Sequence, residues 1–203
     1  MEWNTLLSIV AKALTQTALN DNLLFLIDAH ETTIAHRFAV HIERILQQDL
    51  PEQRSENPYS IDCEYDAMGD QRKELRRSND PALYDALWSC RTRKRDRGVV
   101  GVCPDIIIHR RRESDLENNL LVVELKTGKT PDDVCDHVKL TAFTRPATFQ
   151  FQYQYGLYLR LRAGEEFSPE RVVEHARRYV NGESEDVTRE FTEIIDAILR
   201  DIR

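Results

Sequence analysis

The chain has 203 residues, of which 41% are hydrophobic and 31% are charged, and its net charge is −7. This composition excludes a disordered or fibrous protein, and the length is sufficient for one domain with a substantial core. The acidic balance argues against a protein that coats nucleic acid, because phosphate binding depends on Lys and Arg. No apolar run is long enough to span a membrane, and no basic segment precedes an apolar stretch at the N-terminus. We therefore expect a cytoplasmic protein that does not bind membranes.

Apolar residues recur at helical spacing in several segments of the chain. The second of these segments has Asp28 as a candidate N-cap, and Pro51 lies just beyond its end. Another segment follows Asp80-Pro81, where proline suits the first helical position. The predicted helices span about 3–19, 29–48, 82–88, 134–143, 168–180 and 187–202.

Alternating or continuous apolar runs predict strands at four places. The second and third strands are joined by a charged turn, which is compatible with a hairpin. Apart from the short helix, residues 69–98 are predicted as a long polar loop. The predicted strands span about 59–67, 102–110, 119–126 and 149–161. Strands bracketed by helices predict a single α/β domain over 1–203, with a central mixed sheet flanked by helices.

The four cysteines are scattered, without a C-x-x-C pair or regular spacing. In a chain of this size, such cysteines are typical of reduced and mostly buried thiols rather than of a disulfide framework or a zinc site. We therefore expect free thiols at Cys63, Cys90, Cys103 and Cys135.

Charged residues interrupt two runs that otherwise look like buried strands. Pro104-Asp105 begins one run, and Glu124-Leu125-Lys126 ends the other. Buried ions are costly unless they are paired or bind a metal. In a hairpin with strands about 4.8 Å apart, Asp105 and Glu124 could hold one Mg²⁺ ion together, with the Leu125 carbonyl as a further ligand. An ordinary ion pair at a sheet edge is the alternative.

Glu31 is a third candidate carboxylate. It lies three and seven residues before Ile34 and Phe38, so it continues the apolar stripe of its helix and points toward the core. The alternative is a capping role, because Asp28-x-x-Glu31 fits a capping-box-like pattern. The two roles are compatible with each other.

Basic residues crowd one segment of this acidic chain and suggest a lid that contacts DNA phosphates. A solvated loop is the alternative for this segment, and a solvated helix position is the alternative for Lys139. The alternating aromatic residues of 149–155 favour core packing over base stacking. The predicted nucleic-acid contacts are Arg91, Arg93, Lys94, Arg95, Arg97 and Lys139.

These residues resemble the PD-(D/E)xK nuclease-like superfamily, whose members have the restriction-endonuclease-like fold. The resemblance is carried by Pro104-Asp105 and Glu124-Leu125-Lys126, with Glu31 on the preceding helix and Lys139 on the following one. The predicted order of elements over about 28–162 is similar to the αβββαβ core of that family. The first helix and the C-terminal helices are additions to this core. The Gln-x-x-x-Tyr motif of one exonuclease branch is not evident after the Lys.

The resemblance implies a phosphodiesterase that depends on Mg²⁺ or Mn²⁺. Asp105 and Glu124 would bind one or two ions, Glu31 would support the site, and Lys126 would position the attacking water. We expect an endonuclease that acts on DNA, although the sequence does not separate DNA from RNA. The alternative is a catalytically inactive protein of this fold that binds nucleic acid or protein. The oligomeric state, including a homodimer, stays open.

Overall fold

The computed structural model describes residues 1–50, 58–64, 67–68, 71–72, 74–76, 79–90, 99–110, 118–128, 133–146 and 152–202. The helices are α1 (Trp3–Asn20), α2 (Asn22–Leu26), α3 (Glu31–Asp49), α4 (Pro81–Ser89), α5 (Val134–Thr144) and α6 (Thr188–Ile202). The strands are β1 (Ser60–Cys63), β2 (Ala67–Met68), β3 (Gln71–Arg72), β4 (Glu74–Arg76), β5 (Val99–Gly101), β6 (Ile106–His109), β7 (Asn119–Thr127), β8 (Tyr155–Leu161), β9 (Val173–Val180) and β10 (Glu183–Asp186). None of the helices in these ranges is both long and apolar enough to cross a membrane.

Six of the strands form one mixed sheet in the order β1-β6-β7-β8-β9-β10. β6 and β7 pair antiparallel, as the sequence predicts for a hairpin. β7 and β8 are parallel, and the helix α5 lies between them in the chain. β9 and β10 complete the sheet in antiparallel pairings. The prediction of an α/β fold with a central mixed sheet flanked by helices is confirmed.

Helices cover both faces of this sheet. α1, α3 and α6 pack on one face, where they share a core with Val123 and Leu125 of β7. α4 and α5 pack on the other face, where they share a second core with Val122. Successive strand residues face opposite sides, so a strand covered on both faces is apolar along its length. Glu124 and Lys126 follow Val122 at intervals of two and therefore lie on the face of α5.

Gly156 allows α5 to lie close to β8. A Cβ atom at this position would lie 3.0 Å from Tyr179 Cβ, 3.1 Å from Thr144 Cγ2 and 3.2 Å from Leu140 Cδ2. These contacts are tighter than most real Cβ contacts, so a side chain at 156 would require Tyr179, Thr144 and Leu140 to shift by a few tenths of an ångström. Glycine thus sets the distance at which α5 presents its side chains to β7 and β8.

The predicted helix over 168–180 is wrong, because Val173–Val180 forms the strand β9. Its buried residues recur three apart, and this spacing also suits a helix. The turn that follows is decisive, since Asn181 and Gly182 both have positive φ angles, of 53° and 82°. Two consecutive residues with positive φ form a hairpin turn whose twist matches that of the paired strands.

The helix predicted after Asp80-Pro81 is confirmed as α4. Asp80 Oδ1 accepts a hydrogen bond from the Leu83 backbone N at 3.0 Å, and proline occupies the first turn. The prediction of a loop for the rest of 69–98 is wrong in part, because β3 and β4 lie there. These short strands pair with β2 and β5 outside the main sheet.

Two predicted strands are shorter than their sequence patterns. The strand predicted over 59–67 forms β1 but ends at Cys63, and Glu64 has a positive φ angle of 49°. The strand predicted over 149–161 forms β8 only from Tyr155 onward, and residues 149–151 lie outside the described residues.

The prediction of four free thiols is wrong, because a disulfide joins Cys90 to Cys135. The bond links the end of α4 to the first turn of α5 across 45 residues of sequence, so local spacing does not reveal it. Cys63 is half-buried and Cys103 is exposed, and neither takes part in the disulfide. The cytoplasmic location stays a prediction, and oxidising compartments favour bonds of this kind.

We expect two titratable thiols in protein that is unfolded without reductant, and four after reduction. In the folded protein Cys103 should react first with a disulfide-exchange reagent. Burial raises the pKa of Cys63 to about 11 from an ordinary value of 9.0, which lowers its thiolate fraction about a hundredfold at neutral pH. Four thiols without reductant would show that Cys90 and Cys135 are not bonded to each other.

Candidate metal centre

Asp105 and Glu124 lie opposite each other across the β6–β7 hairpin. Ile106 of β6 pairs with Val123 of β7. One residue further along each strand, on the side away from the turn, Asp105 lies opposite Glu124. Asp105 Oδ2 also accepts a hydrogen bond of 2.7 Å from the backbone N of Leu125. The hairpin register therefore brings the two predicted carboxylates together at the point where β6 begins.

Glu124 is buried within the sheet, with only 1% of its surface exposed. Its Oε2 atom accepts a hydrogen bond from Lys139 Nζ at 2.7 Å. Its Oε1 atom is also buried, but it has no hydrogen-bond partner among the described residues. Leaving a buried polar atom unpaired costs about 1–3 kcal/mol, and more when the group is charged. This oxygen is therefore available to a ligand that supplies positive charge.

Lys139 is held inside the cluster, so the alternative of a solvated helix residue is wrong. Its Nζ atom binds Glu124 Oε2 and lies 3.1 Å from Asp136 Oδ1. The predicted contact between Lys139 and a nucleic-acid phosphate stays a prediction. Any such contact would compete with these two carboxylates for the same ammonium group.

Lys126 lies on the same face of β7 as Glu124 but forms ion pairs with other carboxylates. Its Nζ atom is 3.4 Å from Asp136 Oδ2 and 3.6 Å from Glu31 Oε2. Its side chain is 20% exposed, similar to the 24% of Lys139, whereas the side chain of Glu124 is 1% exposed. The two lysines therefore differ in their partners, because Lys126 pairs with Asp136 and Glu31, whereas Lys139 neutralises the buried carboxylate of Glu124.

Glu31 reaches the same cluster from the first turn of α3. Its Oε1 atom accepts a hydrogen bond of 3.0 Å from the backbone N of Thr127, at the end of β7. The predicted capping role of Asp28 is wrong, because the N-cap of α3 is His30, whose Nδ1 accepts from Thr32 N at 3.3 Å. Glu31 therefore ties α3, which packs on one face of the sheet, to the residues on the other face.

Asp136 also belongs to the cluster, although it was not among the residues predicted from the sequence. It is 7% exposed, and its two carboxylate oxygens contact Lys139 and Lys126 separately. A signal was available, since Asp136 lies three residues before Lys139 and hence on the same side of α5. That helix is the first element after the Glu-x-Lys strand, so an acidic residue in its first turn can approach the motif.

The electrostatics of the cluster indicate a shortage of positive charge. Burial raises the pKa of Asp105 to about 6, although the hydrogen bond from Leu125 and the charge of Lys139 oppose this rise. Burial also raises the pKa of Glu124 well above its ordinary value, and the charges of Asp105 and Asp136 add to the effect. Burial favours the uncharged form of Lys139, but Glu124 and Asp136 together hold its pKa above the ordinary range.

The residues fit a divalent cation in one specific respect. The unpaired oxygen of Glu124 is buried beside the opposite strand that carries Asp105, and both carboxyls have raised pKa values. A cation at this position would supply the charge that the cluster lacks. Among the described residues, no three His, Cys, Asp or Glu side chains form a group that could hold a metal. The ammonium groups of Lys126 and Lys139 lie between the carboxylates instead.

The predicted nucleic-acid lid falls outside the described residues, as do Phe149 and Phe151. Among the remaining aromatics of that run, Tyr153 is 1% exposed and packs edge-on against Phe143, with ring centroids 5.8 Å apart. The interpretation of this position as core rather than as a stacking platform is therefore confirmed. The lid residues outside the described ranges are Arg91, Arg93, Lys94, Arg95 and Arg97.

Comparison with known proteins yields no match. No family model matches the sequence, and no significant match is found among the curated proteins or among the solved structures. The candidate site is therefore supported by its own residues and their arrangement, and by the resemblance of its motifs.

We expect Asp105→Asn to be more stable than the wild type at pH 7 in the absence of metal. The folded pKa of about 6 exceeds the unfolded value, so the carboxyl group stabilises the fold below about pH 4 and loses this contribution as pH rises through 6. The advantage of the variant should therefore grow between pH 4 and 7, by about 2–3 kcal/mol. Urea unfolding across this range measures it, with Asp49→Asn at the exposed end of α3 as the control. An advantage that does not change with pH would contradict the assignment.

Lys139→Met should destabilise the protein by about 3–5 kcal/mol, because it leaves the Glu124 carboxylate buried without its counter-ion. Adding Glu124→Gln should recover much of this loss. A double-mutant cycle measures the coupling, which we expect to exceed about 1 kcal/mol.

The exposed pair formed by Lys12 and Asp49 is the matched control for this cycle. Its atoms are 2.8 Å apart, which is nearly the distance of 2.7 Å between Lys139 and Glu124. Because both side chains are exposed, we expect a coupling below about 1 kcal/mol. Equal coupling in the two pairs would show that burial does not strengthen the Lys139–Glu124 interaction.

Proposed function

We propose that this chain is a metal-dependent nuclease that hydrolyses phosphodiester bonds, most specifically an endonuclease acting on DNA. The observation that carries the proposal is the buried and unpaired Oε1 atom of Glu124, which lies across the hairpin from Asp105. A folded protein retains such an atom at a cost in stability, and a ligand that binds there removes that cost. Carboxylate oxygens are the ligands that Mg²⁺ and Mn²⁺ prefer.

The order of elements around the cluster supports the same proposal. α3 precedes β1, β6 and β7, and α5 and β8 follow them. The pairings are antiparallel between β1 and β6, antiparallel between β6 and β7, and parallel between β7 and β8. This arrangement agrees with the αβββαβ core of the family that the motifs resemble. The short strands β2 to β5 and the helix α4 are insertions between the first and second core strands.

In this proposal Asp105, Glu124 and the Leu125 carbonyl hold the metal, and Glu31 supports the site from α3. A bound divalent ion would polarise the phosphate and lower the pKa of a coordinated water. Lys126 positions the attacking water, which is the role that the resemblance implies for it, and its ammonium group pairs with Asp136 and Glu31 rather than with Glu124. Lys139 pairs with Glu124 and balances its charge. Asp136 contacts both ammonium groups, one through each of its carboxylate oxygens.

A second candidate function is non-catalytic binding of nucleic acid or protein by the same fold. One observation favours it, since Lys139 and Lys126 already form ion pairs with Glu124, Asp136 and Glu31 without any metal. If these lysines are the permanent partners of the carboxylates, the protein would need no cation to fold. The two candidates differ in whether Mn²⁺ stabilises the folded protein, because only specific binding to the native state raises the melting temperature.

The decisive experiment offers single-stranded, duplex, nicked and supercoiled DNA, and RNA, to the purified protein with Mg²⁺ or Mn²⁺. We expect metal-dependent cutting of DNA that falls at least about a hundredfold in Asp105→Asn, Glu124→Gln and Lys126→Met. Mn²⁺ at a hundred times its dissociation constant should stabilise the wild type by about 2.7 kcal/mol, and this gain should disappear in Asp105→Asn and Glu124→Gln.

Lys12→Met is the control, because Lys12 is exposed and pairs with Asp49 at the surface. Folding of each variant is checked by its circular dichroism spectrum before assay. Cutting that persists in the folded Asp105→Asn and Glu124→Gln proteins would overturn the site assignment. The binding-module candidate would gain support from a wild type that neither cuts nor responds to Mn²⁺.

A further inference from the structure

Polar side chains continue from the cluster across the next two strands of the sheet. Glu124 on β7 pairs in register with Tyr158 on β8, and Tyr158 pairs with Arg177 on β9. Directly paired residues share a face of the sheet, so Arg177 lies on the face of α5, as Glu124 does. The distance from Glu124 to Arg177 is two strand spacings, or about 10 Å.

The neighbouring basic residues in this part of the sheet already have acidic partners. Arg160 Nη2 is 3.0 Å from Asp133 Oδ2, at the residue that precedes α5. His175 Nε2 is 3.1 Å from Asp186 Oδ2 on the edge strand β10. Asp133 and Asp186 thus already contact Arg160 and His175, and Arg177 is a different case.

Arg177 is a partly buried guanidinium group that forms no ion pair with any described residue. Its Nε atom is buried and has no hydrogen-bond partner in the part of the chain that the structure describes. Its charge acts on His137 and Tyr179, which hydrogen-bond to each other. Burial lowers the pKa of His137, opposed by the charge of Asp133 and helped by that of Arg177, and burial raises the pKa of Tyr179 to about 12. Both side chains are therefore neutral near pH 7 and do not balance the charge of Arg177.

A guanidinium group that is partly desolvated without a counter-ion is costly for a folded protein. An anion that binds there would remove this cost. Phosphate groups suit the site, because a guanidinium group donates two parallel hydrogen bonds to them and stays charged at every physiological pH. The position beside the proposed metal centre favours a phosphate that belongs to the same substrate.

We infer that Arg177 binds a backbone phosphate of the nucleic-acid strand, one that flanks the phosphate at the metal centre. This inference rests on the proposed function for its substrate and adds a second contact point on that substrate. The contact is to phosphate and so carries no base specificity.

The next residue in the chain supplies a matched control. Arg178 lies on the opposite face of β9, where its guanidinium group is 5.0 Å from the centre of the Trp3 ring and forms an ion pair with Glu185. Replacing either arginine by glutamine removes one positive charge from the same strand. Only the replacement at 177 removes a charge from the face that carries Glu124 and Lys126.

The test measures binding of a labelled single-stranded DNA by fluorescence anisotropy, in EDTA so that no cutting occurs, over a series of salt concentrations. We expect Arg177→Gln to weaken binding about tenfold and to reduce the slope of log affinity against log salt by about one. Arg178→Gln should stay within about twofold of the wild type. Arg177→Lys should lose less affinity than Arg177→Gln. If the glutamine variant does not fold, the lysine variant is compared with the wild type in its place.

An RNA of the same sequence should show the same loss in Arg177→Gln, since the contact is to the phosphate that both share. Equal losses in Arg177→Gln and Arg178→Gln would overturn the inference, because overall charge alone would then explain binding. Wild-type affinity in Arg177→Gln would also overturn it.

The inference and the proposed function can fail separately. If Mn²⁺ stabilises the protein and DNA is cut, but Arg177→Gln binds normally, the phosphate site is wrong and the nuclease proposal is unaffected. If binding depends on Arg177 in a protein that neither binds Mn²⁺ nor cuts, the phosphate site is supported and the nuclease proposal fails.

Discussion

The carboxylate of Glu124 is the constraint on which this part of the molecule depends. It lies in β7, the strand covered by helices on both faces, where water cannot solvate a charge. One of its oxygens is neutralised by Lys139, and the other has no partner among the described residues. The elements that pack around β7 hold counter-ions next to the Glu124 carboxylate.

Helix α5 is the principal source of these counter-ions. It contributes Lys139 directly and Asp136 as the bridge between the two lysines. Its distance from the sheet depends on Gly156, and its first turn is bonded to the end of α4 through Cys135, the residue next to Asp136. The second core and the charged cluster therefore both depend on the position of α5, so a change in its packing would move Lys139 and Asp136 relative to Glu124.

Much of the fold could be predicted from sequence because apolar periodicity reports burial directly. The helices α1, α3, α5 and α6 and the hairpin of β6 and β7 follow from it. The strand β9 was not predicted, since the residues on its α5 face are polar and its buried residues recur three apart. In that segment the informative signal was the Asn181-Gly182 turn, whose positive φ angles are needed for a tight hairpin.

The sequence alone determined that Asp105, Glu124 and Lys126 belong to neighbouring buried strands, because charges within continuous apolar runs are visible without coordinates. Only the tertiary structure decided which cation each carboxylate meets. Lys139 and Asp136 join the cluster because β7 and β8 are parallel, and the helix that connects them must cross the face of the sheet. The disulfide and the contacts of Glu31 also depend on the tertiary structure, because each joins elements that lie far apart in the chain and pack together in the fold.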